Sequence, residues 1–142
     1  MNKKQLINNI ASLADKWQGL TIEKQEDKVF EEYNELLEAK ESGNIEEIKK
    51  ELADVVITMV VLTKLESIFT TRKWVEIINH IQNDSPTEGC FTSSVFSYLF
   101  QKLDKTATQY GLNVWECLEY KYNIVANRKG EVVDGTFVKS GE

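Results

Sequence analysis

The sequence is poor in the residues that break or cross-link regular structure. Its 142 residues include one proline and seven glycines, too few for the many tight turns of an all-β protein. Cys90 and Cys117 are far apart, so they indicate neither a zinc site nor a redox motif, and we expect reduced thiols. The single histidine, His80, excludes a carboxylate-bridged di-iron bundle, because that site takes a Glu-x-x-His motif from each of two helices.

Basic residues and long apolar runs are also scarce. The formal net charge is −6 and the isoelectric point about 5.0, which disfavours binding to the phosphate backbone of a nucleic acid. The most apolar run, residues 55–62, is too short to span a bilayer, and the N-terminus has no apolar signal core. We therefore expect a cytoplasmic protein that binds neither nucleic acid nor a membrane.

Helix-forming residues dominate what is present. A hydrophobic fraction of 42% in 142 residues is sufficient for the core of one domain, and runs rich in Glu, Lys, Leu and Ala favour helix. Apolar residues at helical spacing predict an all-α bundle of about five to six helices, with a short C-terminal hairpin or extended tail on the Asp134-Gly135 turn. The predicted helices cover approximately residues 6–17, 22–41, 45–66, 72–82, 92–110 and 113–127.

Two pairs of acidic residues lie at matching positions on consecutive predicted helices. At about 100° per residue, the apolar stripe of the first of these helices contains Val29, Tyr33, Leu36 and Leu37. Glu32 and Glu35 border this stripe, and Glu51 and Asp54 have the same offsets from the stripe of the next helix. The turn at Gly43 predicts an antiparallel helical hairpin, which can bring the four carboxylates together beside the core.

Four converging carboxylates repel one another unless a cation lies among them. Oxygen ligands alone favour a hard cation such as Mg²⁺, with Mn²⁺ as a substitute. The nearly continuous apolar run at residues 55–61 predicts a central, buried helix, so that partly buried carboxylates need a partner. The alternative is a solvated acidic face, since Glu is common on helices. The paired arrangement favours the metal site, and with it phosphate chemistry.

The acidic pattern is similar to that of a known enzyme family. Glu31 to Glu35 read E-E-x-x-E and Glu51 to Asp54 read E-x-x-D, which resembles the all-α nucleoside triphosphate pyrophosphatases of the MazG type. Their relatives include dimeric dUTPases, dCTP pyrophosphatases and phosphoribosyl-ATP pyrophosphatases. Residues 121–130 resemble the late K-x(5)-N-R-x segment of this superfamily, and the ending at 128–139 is similar to MazG-like proteins of phages and their bacterial hosts.

The resemblance implies a set of metal ligands. Glu32, Glu35, Glu51 and Asp54 match the positions that ligate Mg²⁺ in the superfamily. One glutamate can serve as the general base, with Glu35 as the candidate. Glu31 faces away from the core and is interpreted as orienting a ligand or a water.

Other residues are candidates for binding the substrate. By the resemblance, Lys121 and Arg128 hold phosphate oxygens and Asn127 hydrogen-bonds the sugar or base. Lys28, one helical turn before the acidic pair, can reach a phosphate. Trp17 either stacks on a base or packs in the core.

The resemblance implies hydrolysis of a (d)NTP to a (d)NMP and pyrophosphate, as housecleaning of the nucleotide pool, by a homodimer or homotetramer. Two alternatives remain: a dUTPase-like enzyme of narrow base choice, and a non-catalytic helical module that binds metal or a partner. We interpret residues 1–142 as one domain in which residues 64–110 form a two-helix insertion, because they depart from the compact family pattern.

Overall fold

The computed structural model describes residues 1–66 and 94–140, with side chains from residue 98 onward in the second range. The helices are α1 Lys3–Ala11, α2 Leu13–Lys16, α3 Ile22–Ser42, α4 Ile45–Glu66, α5 Ser94–Gln109 and α6 Val114–Val125, followed by the strands β1 Gly130–Val133 and β2 Thr136–Lys139. The predicted all-α bundle with a C-terminal hairpin is confirmed. The predicted helix at 72–82, His80 and Cys90 lie outside the described residues.

The N-terminal helix is interrupted, although the sequence pattern predicts one continuous helix. The Ser12 hydroxyl donates a hydrogen bond of 2.9 Å to the Asn8 carbonyl. A serine that bonds the carbonyl four residues earlier competes with the helical ladder and bends the chain. α1 therefore ends at Ala11, and α2 continues from Leu13 as a single turn.

The turn between α3 and α4 is closed by specific caps. Gly43 has a left-handed φ of 72°, and its N–H donates to the carbonyls of Ala39 and Lys40. The Asn44 side chain accepts a hydrogen bond from the Glu47 N–H at 3.2 Å and so caps the start of α4. Such a short connection makes the two helices antiparallel neighbours, and they pack along each other.

α4 is the centre of the bundle. Every residue from Val55 to Thr63 is buried, and the helix packs against α1, α2, α3, α5 and α6. This burial confirms the predicted central helix. Over the two described ranges, no helix is long and apolar enough to cross a membrane.

The buried face of α3 is rotated from the predicted stripe. Its buried residues are Gln25, Val29, Glu32, Leu36 and Ala39. The prediction was wrong for Leu37, whose side chain is 40% exposed. The reason is that α4 packs against the side of α3 that carries Glu32. Glu32, only 8% exposed, consequently belongs to the buried face of α3.

The C-terminal hairpin packs against the start of α3. Its turn has positive φ at Asp134 (50°) and Gly135 (85°), as a two-residue type I′ turn requires. The Thr21 N–H donates to the Gly135 carbonyl at 3.1 Å, and the Phe137 ring stacks on Trp17 with 4.2 Å between centroids. The β1–β2 hairpin thus lies beside the helical hairpin of α3 and α4, which carries the paired carboxylates and is called the acidic hairpin below.

Two glycines with similar backbone angles test this docking. Gly43→Ala adds left-handed strain of about 1 kcal/mol with no atom of the described residues within 4 Å of the new Cβ. Gly135→Ala adds comparable strain and places Cβ 2.6 Å from the Thr21 Oγ1. We expect Gly135→Ala to lower the free energy of urea unfolding by at least about 1 kcal/mol more than Gly43→Ala, and to speed proteolysis of the tail. Equal losses with an intact tail would contradict the docking.

Candidate active site

A cavity of about 280 Å³ opens beside the α3–α4 hairpin. The charged part of its wall comes from α3, α4, the segment after α6, and β2. The aromatic and apolar part comes from α4, the α2–α3 connection, the end of α6, and β2. The charged lining residues are Lys28, Glu32, Glu35, Asp54, Arg128 and Lys139. The aromatic ones are Trp17 and Phe137. This arrangement suits a ligand that has a charged part and a flat apolar part.

The acidic residues converge at the charged part of the cavity. Carboxylate oxygens of Glu32, Glu51 and Asp54 lie within 4.8 Å of one another, as do those of Glu31, Glu32 and Glu35. Glu35 also raises the pKa values of Glu51 and Asp54 by repulsion. The structure therefore brings together the four carboxylates that the sequence pairs on two helices.

Two of these carboxylates are incompletely satisfied. Glu32 Oε2 and Glu51 Oε2 are buried and have no hydrogen-bond partner among the described residues. A buried charged oxygen without a partner is costly. Hard oxygen donors grouped within a few ångströms are the usual ligands of Mg²⁺ or Mn²⁺. The residues present therefore fit a divalent cation.

The pKa values reflect the crowding. Desolvation, with repulsion from Asp54 and Glu35, raises the pKa of Glu32 to about 7, and desolvation with repulsion from Asp54 raises that of Glu51 to about 8. Burial also raises the pKa of Asp54, while Lys121 and Arg128 act in the opposite direction. Around neutral pH the metal-free cluster holds protons, which a bound cation would displace.

Lys28 partly balances the acidic cluster. Its Nζ lies 3.3 Å from Glu31 and 3.4 Å from Glu32. Burial alone lowers the pKa of Lys28, but the two carboxylates outweigh it and the pKa is raised overall. Glu31 is exposed and does not line the cavity. It is linked to the site by its ion pair with Lys28 and by the proximity of its carboxylate to Glu32 and Glu35.

The late K-x(5)-N-R segment is divided among three locations. Lys121 is buried with its Nζ 3.4 Å from Asp54 Oδ2, and it is not among the residues that line the cavity. Asn127 is exposed and donates to the Asn123 carbonyl at 2.7 Å, at the end of α6. Arg128 lines the cavity. Of the three residues, Arg128 is therefore the one placed at the cavity wall, and a contact of Lys121 or Asn127 with a substrate stays a prediction.

Several lining residues were missed by reasoning from the sequence, among them Gln25, Phe137 and Lys139. Gln25 had a usable signal, since it lies seven residues before Glu32 and so on the same face of α3. Phe137 and Lys139 had none, because their contribution depends on where the hairpin docks. Trp17 is partly buried against the core and packs one face of its ring on Phe137. Both aromatic residues line the cavity, and stacking of Trp17 on a base stays a prediction.

The crowded carboxylates predict an unusual pH dependence of stability. Between the ordinary pKa of 4.5 and about 8, the folded state keeps protons on Glu51 and Glu32 that the unfolded state releases. The free energy of unfolding of the metal-free protein therefore falls as pH rises through this window. We expect Glu51→Gln to raise the melting temperature at pH 8 by on the order of 5 °C, with little gain at pH 5.

The measurement is thermal unfolding in chelator from pH 5 to 8.5. Glu38→Gln is the matched control, because Glu38 is exposed on the opposite face of α3 and should leave the pH dependence unchanged. If the melting temperatures of wild type and Glu51→Gln changed with pH in parallel, Glu51 would not destabilise the folded protein at high pH.

The comparisons with known proteins agree with the site. The family model for phosphoribosyl-ATP pyrophosphohydrolase matches residues 4–85, which is more than half of the chain and includes the whole acidic hairpin. No curated protein and no solved structure matches the chain. The resemblance drawn from the motifs is confirmed. The chain therefore belongs to the phosphoribosyl-ATP pyrophosphohydrolase family, within the MazG-like superfamily of all-α pyrophosphohydrolases that act on nucleotide phosphoanhydride bonds.

Proposed function

We propose that this protein is a Mg²⁺-dependent nucleoside triphosphate pyrophosphohydrolase, which converts a (d)NTP and water into a (d)NMP and pyrophosphate. The observation that carries the proposal is the pair of buried, unpartnered oxygens on Glu32 and Glu51 within the described residues. They lie in a carboxylate cluster at a cavity that also holds cationic side chains. Membership of a pyrophosphohydrolase family supports the same reaction class.

The acidic hairpin would hold the metal. Glu32, Glu35, Glu51 and Asp54 are the proposed ligands of Mg²⁺ or Mn²⁺, and their oxygens suit either ion. A bound ion would neutralise phosphate charge and activate a water for in-line attack at phosphorus. The other contributions to the reaction come from the side chains of this chain.

Glu35 is the proposed general base. It lines the cavity, whereas Glu31 is exposed and paired with Lys28. A carboxylate at the cavity wall can take a proton from the attacking water within hydrogen-bond reach. Glu31 is then a positioning residue, which acts by holding the Lys28 ammonium.

The cationic lining residues would bind phosphate oxygens. Arg128, Lys28 and Lys139 line the same cavity as the carboxylates, and a triphosphate carries more negative charge than one divalent ion balances. A guanidinium can bind two phosphate oxygens at once, so Arg128 has the larger expected contribution. Lys121 is assigned a different role, since its contact with Asp54 makes it a positioning residue for a metal ligand.

The reaction is tested by assaying pyrophosphate released from a panel of ribo- and deoxyribonucleotides with Mg²⁺. We expect Glu35→Gln and Asp54→Asn each to lower kcat/KM by at least about 100-fold, because a general base contributes about 10²–10⁴-fold and the loss of Asp54 would weaken the proposed metal site. Glu38→Gln, one turn after Glu35 on the exposed side, should retain full activity. If wild-type protein with Mg²⁺ or Mn²⁺ hydrolyses no nucleotide, the non-catalytic module is the better interpretation.

The phosphate contact is tested separately. We expect Arg128→Gln to raise KM for the nucleotide about tenfold or more, since a charge-assisted hydrogen bond contributes about 1.5–3 kcal/mol. Lys129→Gln is the matched control, because Lys129 is adjacent but exposed and does not line the cavity. An unchanged KM in Arg128→Gln would remove this residue from the substrate site.

A further inference from the structure

A buried glutamine shares the cavity with the acidic cluster. Gln25 is 7% exposed and lies on the buried face of α3. Its side chain makes one hydrogen bond within the described residues, from Nε2 to the Thr58 carbonyl at 3.1 Å. Both residues line the cavity. Glutamine is seldom this buried, so its position in the wall of a cavity requires a reason.

The bond to Thr58 determines which way the amide points. A carbonyl oxygen only accepts hydrogen bonds, so the group that faces Thr58 must be the NH₂ of Gln25. The Oε1 atom therefore points away from the α4 backbone. It has no hydrogen-bond partner in the described residues, and it is not one of the fully enclosed, unpartnered oxygens. It is consequently an acceptor that the cavity can reach.

The distance along α3 between Gln25 and the acidic cluster is close to the length of a nucleotide. Gln25 precedes Glu32 by seven residues, which is about 10.5 Å at 1.5 Å per residue. That separation is comparable to the span from the phosphates to the base of an extended nucleotide. The same cavity is walled by the Trp17–Phe137 aromatic pair, whose flat surface suits a base.

We propose that Gln25 is a specificity-determining residue, whose Oε1 accepts a hydrogen bond from an N–H group on the edge of the substrate's nucleobase beside the Trp17–Phe137 pair. The inference deepens the proposed function and rests on it, since it names the part of the nucleotide that the apolar section of the cavity receives. Thr58 is then a positioning residue, because its carbonyl holds the amide in the accepting orientation. A base without a donor would leave Oε1 desolvated and unpaired, which is what produces selectivity.

The experiment compares substrates that differ only in one donor. CTP is paired with 2-pyrimidinone riboside triphosphate, ATP with purine riboside triphosphate, and GTP with inosine triphosphate. For each pair, kcat/KM is measured with Mg²⁺ for wild type, for Gln25→Leu, and for Gln109→Leu as the matched control. Gln109 is exposed at the end of α5, away from the cavity.

In wild type and Gln109→Leu, we expect at least one pair to favour the donor-bearing base by about tenfold or more. In Gln25→Leu, the ratio of kcat/KM for the donor-bearing base to kcat/KM for its partner should fall to about one. A purely structural role for Gln25 would lower both members of a pair equally and leave the ratio unchanged. Gln25→Met repeats the test with an unbranched side chain if the melting temperature shows that the leucine variant is unfolded.

The remaining outcomes separate the inference from the proposed function. If wild type hydrolyses both members of every pair equally well, or if Gln25→Leu keeps the wild-type preference, Gln25 does not recognise the base. The hydrolase proposal stands in either case. If wild type hydrolyses neither these six nucleotides nor any member of the ribo- and deoxyribonucleotide panel, the hydrolase proposal fails. The Kd values of the same six nucleotides are then measured by calorimetry. A preference for the donor-bearing base that is lost in Gln25→Leu supports the inference. If wild type shows no preference, or if the preference is unchanged in Gln25→Leu, the inference is overturned.

Discussion

The burial of carboxylates between α3 and α4 is the constraint on which the other features of the site depend. α4 is buried throughout residues 55–63, so Glu51 and Asp54, which lie just before this stretch, cannot turn outward without exposing that part of the helix. Glu32 and Glu51 consequently keep oxygens that no described residue satisfies. The fold thus maintains a cluster of carboxylates whose burial in the charged form destabilises the protein when no cation is bound. The same α3–α4 hairpin brings together the carboxylates that would bind the cation.

Local patterns were sufficient to predict the hairpin and its acidic residues. Gly43 ends α3 in the left-handed conformation that glycine favours, and the spacing of Glu32, Glu35, Glu51 and Asp54 depends only on helical geometry. The orientation of α3 was harder, because its stripe contains apolar residues over a wide arc. Either Leu37 or Ala39 could have lain on the buried face of α3, and the greater hydrophobicity of leucine favoured Leu37. In the structure Ala39 is buried and Leu37 is exposed. Packing against α4 decides the question, and that packing is not local.

The parts of the cavity that the sequence did not predict are those contributed from a distance along the chain. Phe137 reaches Trp17 only because the Gly135 carbonyl accepts from the start of α3. The ion pair of Lys121 with Asp54 likewise depends on how α6 packs against α4. Neither contact has a periodic signature, since periodicity describes one element at a time. Family motifs did indicate that the late segment matters, but not which of its residues face the cavity.

The division between local and distant contributions also limits what family membership says about the substrate. The matched segment ends at residue 85, so it contains the acidic hairpin and the reaction class that accompanies it. Arg128 and Phe137 lie beyond that segment, yet both line the cavity. Substrate choice depends on differences in contact with the whole ligand, and part of those contacts comes from outside the matched region. The family name is therefore an argument for the bond that is cleaved and a much weaker one for the base that is recognised.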